Sequence, residues 1–168
     1  MAFGLKALLQ LESELTSPLD LSTPSSLLKI AQQITFAQGA GAGQADMIWA
    51  DRRTIAASAT DSLDLAGSAL QSPFGGGLTF ARLKMIFVRA AAANVNNVNI
   101  IRPASNGVPW ALAAGDGFPI RPGGIFFWYD PSAAGAVVTP GTGDLLDLVN
   151  SGAGTTVEYE VVLVGAAS

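Results

Sequence analysis

The segment Gly123-Gly124-Ile125-Phe126-Phe127-Trp128-Tyr129-Asp130 carries five large apolar or aromatic residues in a row between two turn sequences. Successive side chains of a β-strand point to opposite faces, so a strand with one solvent-facing side alternates apolar and polar residues. This segment does not alternate. We therefore predict that both of its faces are covered, either as a central strand or as a strand pressed against a partner. A helix explains it less well because the run is short and its flanks break helices.

Weaker copies of this strand pattern recur between turns rich in Gly and Pro. In the clearest of them, Val157, Tyr159, Val161 and Leu163 share one face of a predicted strand. About ten short strands with such turns, and no alternation of strands with helices, predict an all-β fold, either an antiparallel β-sandwich or a jelly roll. The other predicted strands include residues 34–37, 46–54, 58–65, 78–88 and 98–101.

Residues 1–33 are predicted to form an N-terminal arm ahead of a β-sandwich domain of residues 34–168. Leu5, Leu8, Leu9 and Leu15 lie at roughly helical spacing, which predicts a short helix or an irregular arm over residues 5–15. Leu11 falls off this stripe. Prolines 18 and 24 then break the chain. Polar residues interrupt the leucines, so the start of the chain does not have the pattern of a secretory signal.

The composition indicates a subunit of an assembly. Hydrophobic residues make up 49% of the 168-residue chain and charged residues only 13%, whereas a typical domain has about 25% charged residues. A small domain has a large surface relative to its volume, so a low charge content favours a surface that is partly covered by other subunits. The alternative is a weakly charged monomer.

The chain has no His and no Cys, which limits the kinds of catalytic and metal-binding site that it can form. Their absence excludes a Ser-His-Asp triad, a Cys-His pair, and zinc held by imidazole or thiolate ligands. The net charge is −4 and the nine Lys and Arg residues are scattered, so no basic face for nucleic acid is predicted. No apolar stretch is long enough to predict a membrane-spanning helix.

Three groups of residues raise alternatives. The glycine-rich segment 39–43 resembles a dinucleotide-binding loop, but a strand rather than a helix is predicted after it, so we expect an ordinary loop and no cofactor. The acid pairs Asp61 with Asp64 and Asp144 with Asp147 could serve hydrolysis or calcium binding, but Asp is also common beside turns. The aromatic residues could stack on sugars, although they more often form cores or subunit interfaces.

Several segments resemble a family of small virion structural proteins of tailed bacteriophages. The resemblance covers about residues 36–165 and is carried by turns and strands, while the arm matches less well. The matching segments are Gln44-Ala45-Asp46-Met47-Ile48-Trp49-Ala50-Asp51-Arg52-Arg53-Thr54-Ile55-Ala56-Ala57-Ser58-Ala59, Leu63-Asp64-Leu65-Ala66-Gly67, Leu78-Thr79-Phe80-Ala81-Arg82-Leu83-Lys84, Arg121-Pro122-Gly123-Gly124, and Val138-Thr139-Pro140-Gly141-Thr142-Gly143-Asp144-Leu145-Leu146 with Asn150-Ser151-Gly152 after it.

This resemblance implies a non-enzymatic virion component, a decoration or cement protein that binds the major capsid protein or other virion proteins and stabilises the phage head as a homotrimer. It implies assembly in the host cytoplasm. The arm could tether the domain to the shell by strand addition, in which case loss of residues up to Gln33 would abolish shell binding and leave the trimer intact. The alternative function is a receptor-binding tip on a tail fibre or baseplate. No metal site is expected. The predicted interface residues are Ile125, Phe126, Phe127, Trp128, Tyr129, Trp49 and Trp110.

Overall fold

The computed structural model describes residues 3–168, which form twelve β-strands and no helix. The prediction of an all-β antiparallel sandwich is confirmed, while jelly-roll connectivity stays a prediction. The strands are β1 (Leu5–Thr16), β2 (Ser25–Gln38), β3 (Gln44–Ala45), β4 (Met47–Ile55), β5 (Thr60–Asp64), β6 (Arg82–Ala90), β7 (Val98–Ile101), β8 (Gly117–Ile120), β9 (Ile125–Tyr129), β10 (Ala136–Val137), β11 (Leu145–Asn150) and β12 (Val157–Ala166).

Two antiparallel sheets share the main core. One has the order β10-β6-β12-β4, with β9 also paired to β6, and the other has the order β5-β11-β7-β8. Alternate residues of both sheets enter the core, among them Ile86 and Leu163 from the first sheet and Ile100 and Leu146 from the second. The four predicted inward residues of β12 all lie in this core.

The aromatic strand β9 lies at an edge of its sheet, so the predicted placement as a central strand is wrong, and the prediction that both faces are covered holds for the inner face and only part of the outer one. Strand β9 pairs with β6 alone. Phe126 and Trp128 pack against the main core, while Tyr129 on the opposite face meets Phe36 edge-on, with ring centroids 5.5 Å apart. Phe127 remains 39% exposed. The run is therefore apolar on both faces because a segment distant in the sequence covers part of its outer face.

The N-terminal arm is a β-hairpin rather than the predicted short helix or irregular segment. Strands β1 and β2 pair antiparallel from Leu5 opposite Phe36 to Thr16 opposite Ser25. At a rise of about 3.3 Å per residue, β1 is about 40 Å long. Strand β2 passes without a break from residue 33 to residue 34, and its C-terminal end pairs with β3.

The base of the hairpin packs on the outer face of the larger sheet and forms a second, smaller core. Phe36 and Ala45 lie there against Met85 and Val164, with Leu5 partly buried beside them. The outer half of the hairpin lies beyond these contacts. The arm is thus attached to the sandwich at one end, and its other end is exposed on both faces.

A β-bulge in β6 directs one lysine into the glycine-rich loop. Val164 pairs with Met85 but Gly165 pairs with Leu83, so Lys84 has no partner in the ladder. Its ammonium donates hydrogen bonds to the carbonyl oxygens of Ala40, Gly41 and Gln44, at 2.8, 2.7 and 2.9 Å respectively. The loop leads into β3 and its carbonyl groups are used by this lysine, an arrangement unlike a phosphate-binding loop, which presents N–H groups.

Candidate protein-interaction surface

The hairpin arm is amphipathic with the two-residue period of a strand. Because paired residues of two antiparallel strands share a face, the odd-numbered residues of β1 and the even-numbered residues of β2 form one surface. We call this surface the apolar arm face. Its large side chains are Leu5, Leu9, Leu11, Leu15, Leu28, Ile30, Ile34 and Phe36, and Ala7, Ser13, Ser26 and Gln32 lie between them.

The charged side chains of the two strands lie on the opposite face, which we call the polar arm face. Lys29 is directly opposite Glu12 and forms an ion pair with it. Lys6 and Glu14 share this side of the ribbon, as do two leucines, Leu8 and Leu27. A strand in water places its charged side outward, so the apolar arm face is the side suited to contact another protein.

Burial along the apolar arm face falls from the base to the tip. Phe36 is 2% exposed and Ile34 is 7% exposed, whereas Leu11 and Leu28 each expose 55% and Leu15 exposes 73%. An isolated two-stranded hairpin is at best marginally stable in water. The outer half of this arm has no third strand or covering layer among the residues that the structure describes, so it is the part of the molecule best suited to be completed by a partner.

The tip of the arm adds a second exposed apolar element. Residues 17–24 connect β1 to β2, and the backbone N–H of Ser17 donates to the carbonyl of Pro24 at 3.2 Å. Leu19 and Leu21 in this turn are 62% and 100% exposed. Two exposed leucines between prolines 18 and 24 thus form a compact apolar tip at the point of the hairpin farthest along the chain from its base.

The predicted interface residues are divided between the core and the surface. Trp49 is 5% exposed and belongs to the main core, and Trp110 packs edge-on against Phe126 with centroids 5.5 Å apart. The indole N–H of Trp110 has no hydrogen-bond partner among the described residues. On β9, Ile125 and Phe127 face outward and expose 60% and 39%. The residues most open to a partner are therefore in the arm, which the list of predicted interface residues omitted.

The acid pairs considered for hydrolysis or calcium binding are occupied by local hydrogen bonds. Asp64 accepts from the backbone N–H groups of Ala66 and Gly67 at 3.0 and 2.7 Å, and Asp147 accepts from the Ser62 hydroxyl at 2.6 Å. Among residues 3–168, no group of three or more acidic side chains is arranged to hold a metal ion. Asp64 and Asp144 accept from backbone N–H groups of adjacent turns, as Asp beside a turn commonly does, whereas Asp147 bonds a side chain of the neighbouring strand.

Asp61 instead connects the two sheets at one edge of the sandwich. Arg53 of β4 donates two hydrogen bonds to its carboxylate, at 2.6 and 2.9 Å, and the Tyr159 hydroxyl donates a third at 2.9 Å. Burial alone would raise the pKa of Asp61, but these donors outweigh burial and lower the pKa below its usual value. Burial and the neighbouring carboxylate raise the pKa of Tyr159, so its hydroxyl remains a donor at neutral pH.

This edge contact predicts an acid-dependent loss of stability. A carboxyl group whose pKa is lower in the folded state stabilises the protein above its unfolded-state pKa and loses that contribution as the pH falls through the folded-state pKa. We expect Asp61→Asn to lower the free energy of unfolding at pH 7 by about 1–2 kcal/mol, discounted for partial exposure.

Urea denaturation at a series of pH values tests this expectation. Below about pH 4 the difference between the wild type and Asp61→Asn should shrink, because the wild-type carboxyl group becomes protonated first in the unfolded state and, at still lower pH, in the folded state. The control is Asp20→Asn, at an exposed position in the tip turn. A constant difference between wild type and Asp61→Asn from neutral to acid pH would contradict the assignment.

Comparisons with known proteins add no further assignment. Neither the models of protein families, nor the curated proteins, nor the solved structures include a match to this chain. Within residues 3–168 there is no helix of the length and apolarity needed to cross a membrane. The geometry of the hairpin arm is the remaining evidence for function.

Proposed function

We propose that the protein is a structural virion component of a tailed bacteriophage, a decoration or cement protein that binds and stabilises the head as an oligomer, expected to be a homotrimer. The resemblance described above suggests the virion. A binding role is supported by the exposure of large apolar side chains on the outer half of the arm, which is a two-stranded ribbon. Exposed apolar surface of this kind is typical of proteins that bind other proteins.

The mechanism is thermodynamic linkage. A protein that binds the assembled shell, but not its separated subunits, shifts the equilibrium toward the shell by RT ln(1 + [L]/Kd), which is about 2.7 kcal/mol at a concentration 100 times Kd. Several copies joined in one oligomer bind the shell together, so weak individual contacts give a strong total attachment. The apolar tip at Leu19 and Leu21 is the segment that we assign to the shell contact.

The alternative, a receptor-binding tip on a tail fibre or baseplate, requires exposed aromatic side chains that stack on glycans. The three tryptophans, Trp49, Trp110 and Trp128, are buried or partly buried in the main core, and the exposed aromatic side chains are the phenylalanines Phe74, Phe118 and Phe127. Tryptophan is thus not available for stacking on a glycan, which favours the head-binding proposal. The copy number per purified virion separates the two functions: a number comparable to that of the major shell protein supports head decoration. A few copies would indicate the tail, and none would overturn the virion assignment.

The tip contact predicts a specific loss of shell binding. We expect Leu21→Ser to weaken binding to shells lacking this protein by roughly 10- to 100-fold, since removal of one buried leucine side chain costs about 1.5–3 kcal/mol. Leu112→Ser is the matched control, because both leucines are 100% exposed and Leu112 lies in a loop of the sandwich. Co-sedimentation with shells measures binding. Equal binding of the two variants would exclude the tip as the contact.

A further inference from the structure

We propose that the apolar arm face is the interface between copies of this chain, so that the arms of an oligomer pack face to face into a stalk with the tips at its end. The role of the tip in this arrangement rests on the proposed function. Because the arms hold the copies together, loss of residues 1–33 should dissociate the oligomer, contrary to the expectation from the sequence.

The distribution of charge supports a second copy as the occupant. All four charged residues of β1 and β2 lie on the polar arm face, and the apolar arm face carries none. Copies of this face can therefore meet around a common symmetry axis, as in the expected homotrimer, without like charges opposing each other. The ion pair of Lys29 with Glu12 then remains exposed to water, so association of the arms does not bury either charge.

The size of the face fits a subunit interface. The exposed part of the apolar arm face runs from Leu9 to Leu15 and from Ser26 to Gln32, over seven residues of each strand. It carries five large aliphatic side chains that each expose at least half of their surface: Leu9, Leu11, Leu15, Leu28 and Ile30. With the smaller residues between them, these offer several hundred Å2, the same order as the roughly 800 Å2 per partner in a standard interface.

The apolar arm face is also continuous with a packed core. At its base, Phe36 and Leu5 already pack on the outer face of the larger sheet. Two-stranded ribbons pack through their apolar faces at a spacing of about 10 Å. Association of arms would extend the second core of each copy outward along the ribbon. It would also supply the second layer that a lone hairpin needs to be stable.

Single cysteines provide a direct test, because the natural chain has none. Ser13 lies on the apolar arm face opposite Leu28, and Gln10 lies on the polar arm face opposite Ala31. Under mild oxidation of the full-length protein, we expect Ser13→Cys to form disulfide-linked pairs and Gln10→Cys to remain largely unlinked. Equal linkage of both variants, or linkage of Gln10→Cys alone, would overturn the proposal.

The mass of the isolated protein in solution provides a second measurement. Leu11→Ser and Leu8→Ser are a matched pair, because the two leucines are similarly exposed, at 55% and 62%, but lie on opposite faces of the arm. Sedimentation equilibrium measures the dissociation constant of the oligomer. We expect Leu11→Ser to raise this constant at least tenfold and Leu8→Ser to change it less than threefold. Equal effects, or a wild-type monomer at all concentrations, would contradict a stalk.

Both measurements use the protein without shells, so they are independent of the proposed function. A stalk that forms but does not bind shells would refute head decoration and leave the arm interface intact. A monomer that binds shells through its arm would refute the stalk and support head decoration. Far-UV circular dichroism and thermal melting of each variant verify that the sandwich is folded.

Discussion

Lys84→Met is expected to lower the free energy of unfolding by about 3 kcal/mol, because it removes the donor shared by three partly buried carbonyl groups. Lys84 is 0% exposed, and its ammonium lies 2.7–2.9 Å from the carbonyl oxygens of Ala40, Gly41 and Gln44. Burial lowers the pKa of Lys84, since the charged form has lost its water. The three carbonyl groups replace that water.

Two effects oppose each other in this variant. Methionine fills a similar volume and removes the cost of burying a charge, which amounts to several kcal/mol. The variant also loses three hydrogen bonds to a charged donor, each contributing about 1.5–3 kcal/mol, and leaves the carbonyl groups of Ala40 and Gln44 without that donor, while the Gly41 carbonyl keeps the backbone N–H of Gln44 at 3.2 Å. We expect the second effect to be larger because one ammonium group joins three carbonyl groups of the same loop, and methionine donates to none of them.

Urea denaturation measures the loss of stability, and hydrogen exchange of residues 39–44 measures whether the loop opens. Lys6→Met is the matched control, since Lys6 is exposed on the polar arm face, and its free energy of unfolding should change by less than about 0.5 kcal/mol. If Lys84→Met were as stable as the wild type and hydrogen exchange of residues 39–44 were unchanged, Lys84 would not be the residue that stabilises the loop.

The strands of the sandwich were predictable where one face is buried and the other is open. In β12, Val157 and Tyr159 enter the core while Glu158 lies outside, as the alternation of the sequence predicts. The pattern is informative there because each side chain has only two possible environments. No distant segment is needed to explain it.

The arm was misassigned because its leucines fit two periods. Leu8 next to Leu9 suggests a helical stripe, and Leu11 lies off it. In the hairpin, Leu9 and Leu11 share a face, and Leu8 lies on the other one. The pairing with β2, about 20 residues further along the chain, distinguishes the hairpin from a helix. The sequence signal for this hairpin is the alternation of apolar residues in both strands in one common register.

The position of β9 depends on contacts that no local pattern contains. Its apolar outer face predicted a covered strand, and the cover comes partly from Phe36 in the hairpin base. The bulge that turns Lys84 toward the loop is another case, since it arises from a shift of one residue between β6 and β12. Such features depend on how strands meet in three dimensions, and the sequence of one strand does not specify them.

Asn150→Asp is expected to destabilise the protein by about 4 kcal/mol, although the two side chains have the same shape. Asn150 is 2% exposed at the end of β11. Its amide nitrogen donates to the carbonyl oxygens of Ala56 and Thr155, at 3.1 and 2.8 Å, and its amide oxygen accepts from the Asn96 side chain at 3.0 Å. This one side chain therefore connects three turns at the same end of the sandwich.

The aspartate variant would place a carboxylate oxygen where the amide donor lies. That oxygen would face two carbonyl oxygens instead of donating to them, and a buried charge without a cationic partner would be added. Protonation of the new carboxyl group restores one donor. We therefore expect its pKa to rise and part of the lost stability to return as the pH falls toward about 5.

Urea denaturation at pH 7 and about pH 5 measures both effects, with Asn97→Asp as the control for adding one negative charge at this end of the sandwich. Asn97 bonds Ser151 through its backbone N–H and carbonyl groups, which the substitution leaves in place, so its cost should be below about 1 kcal/mol. A small loss in Asn150→Asp, or one that grows on acidification, would show that the three turns are held together by other contacts.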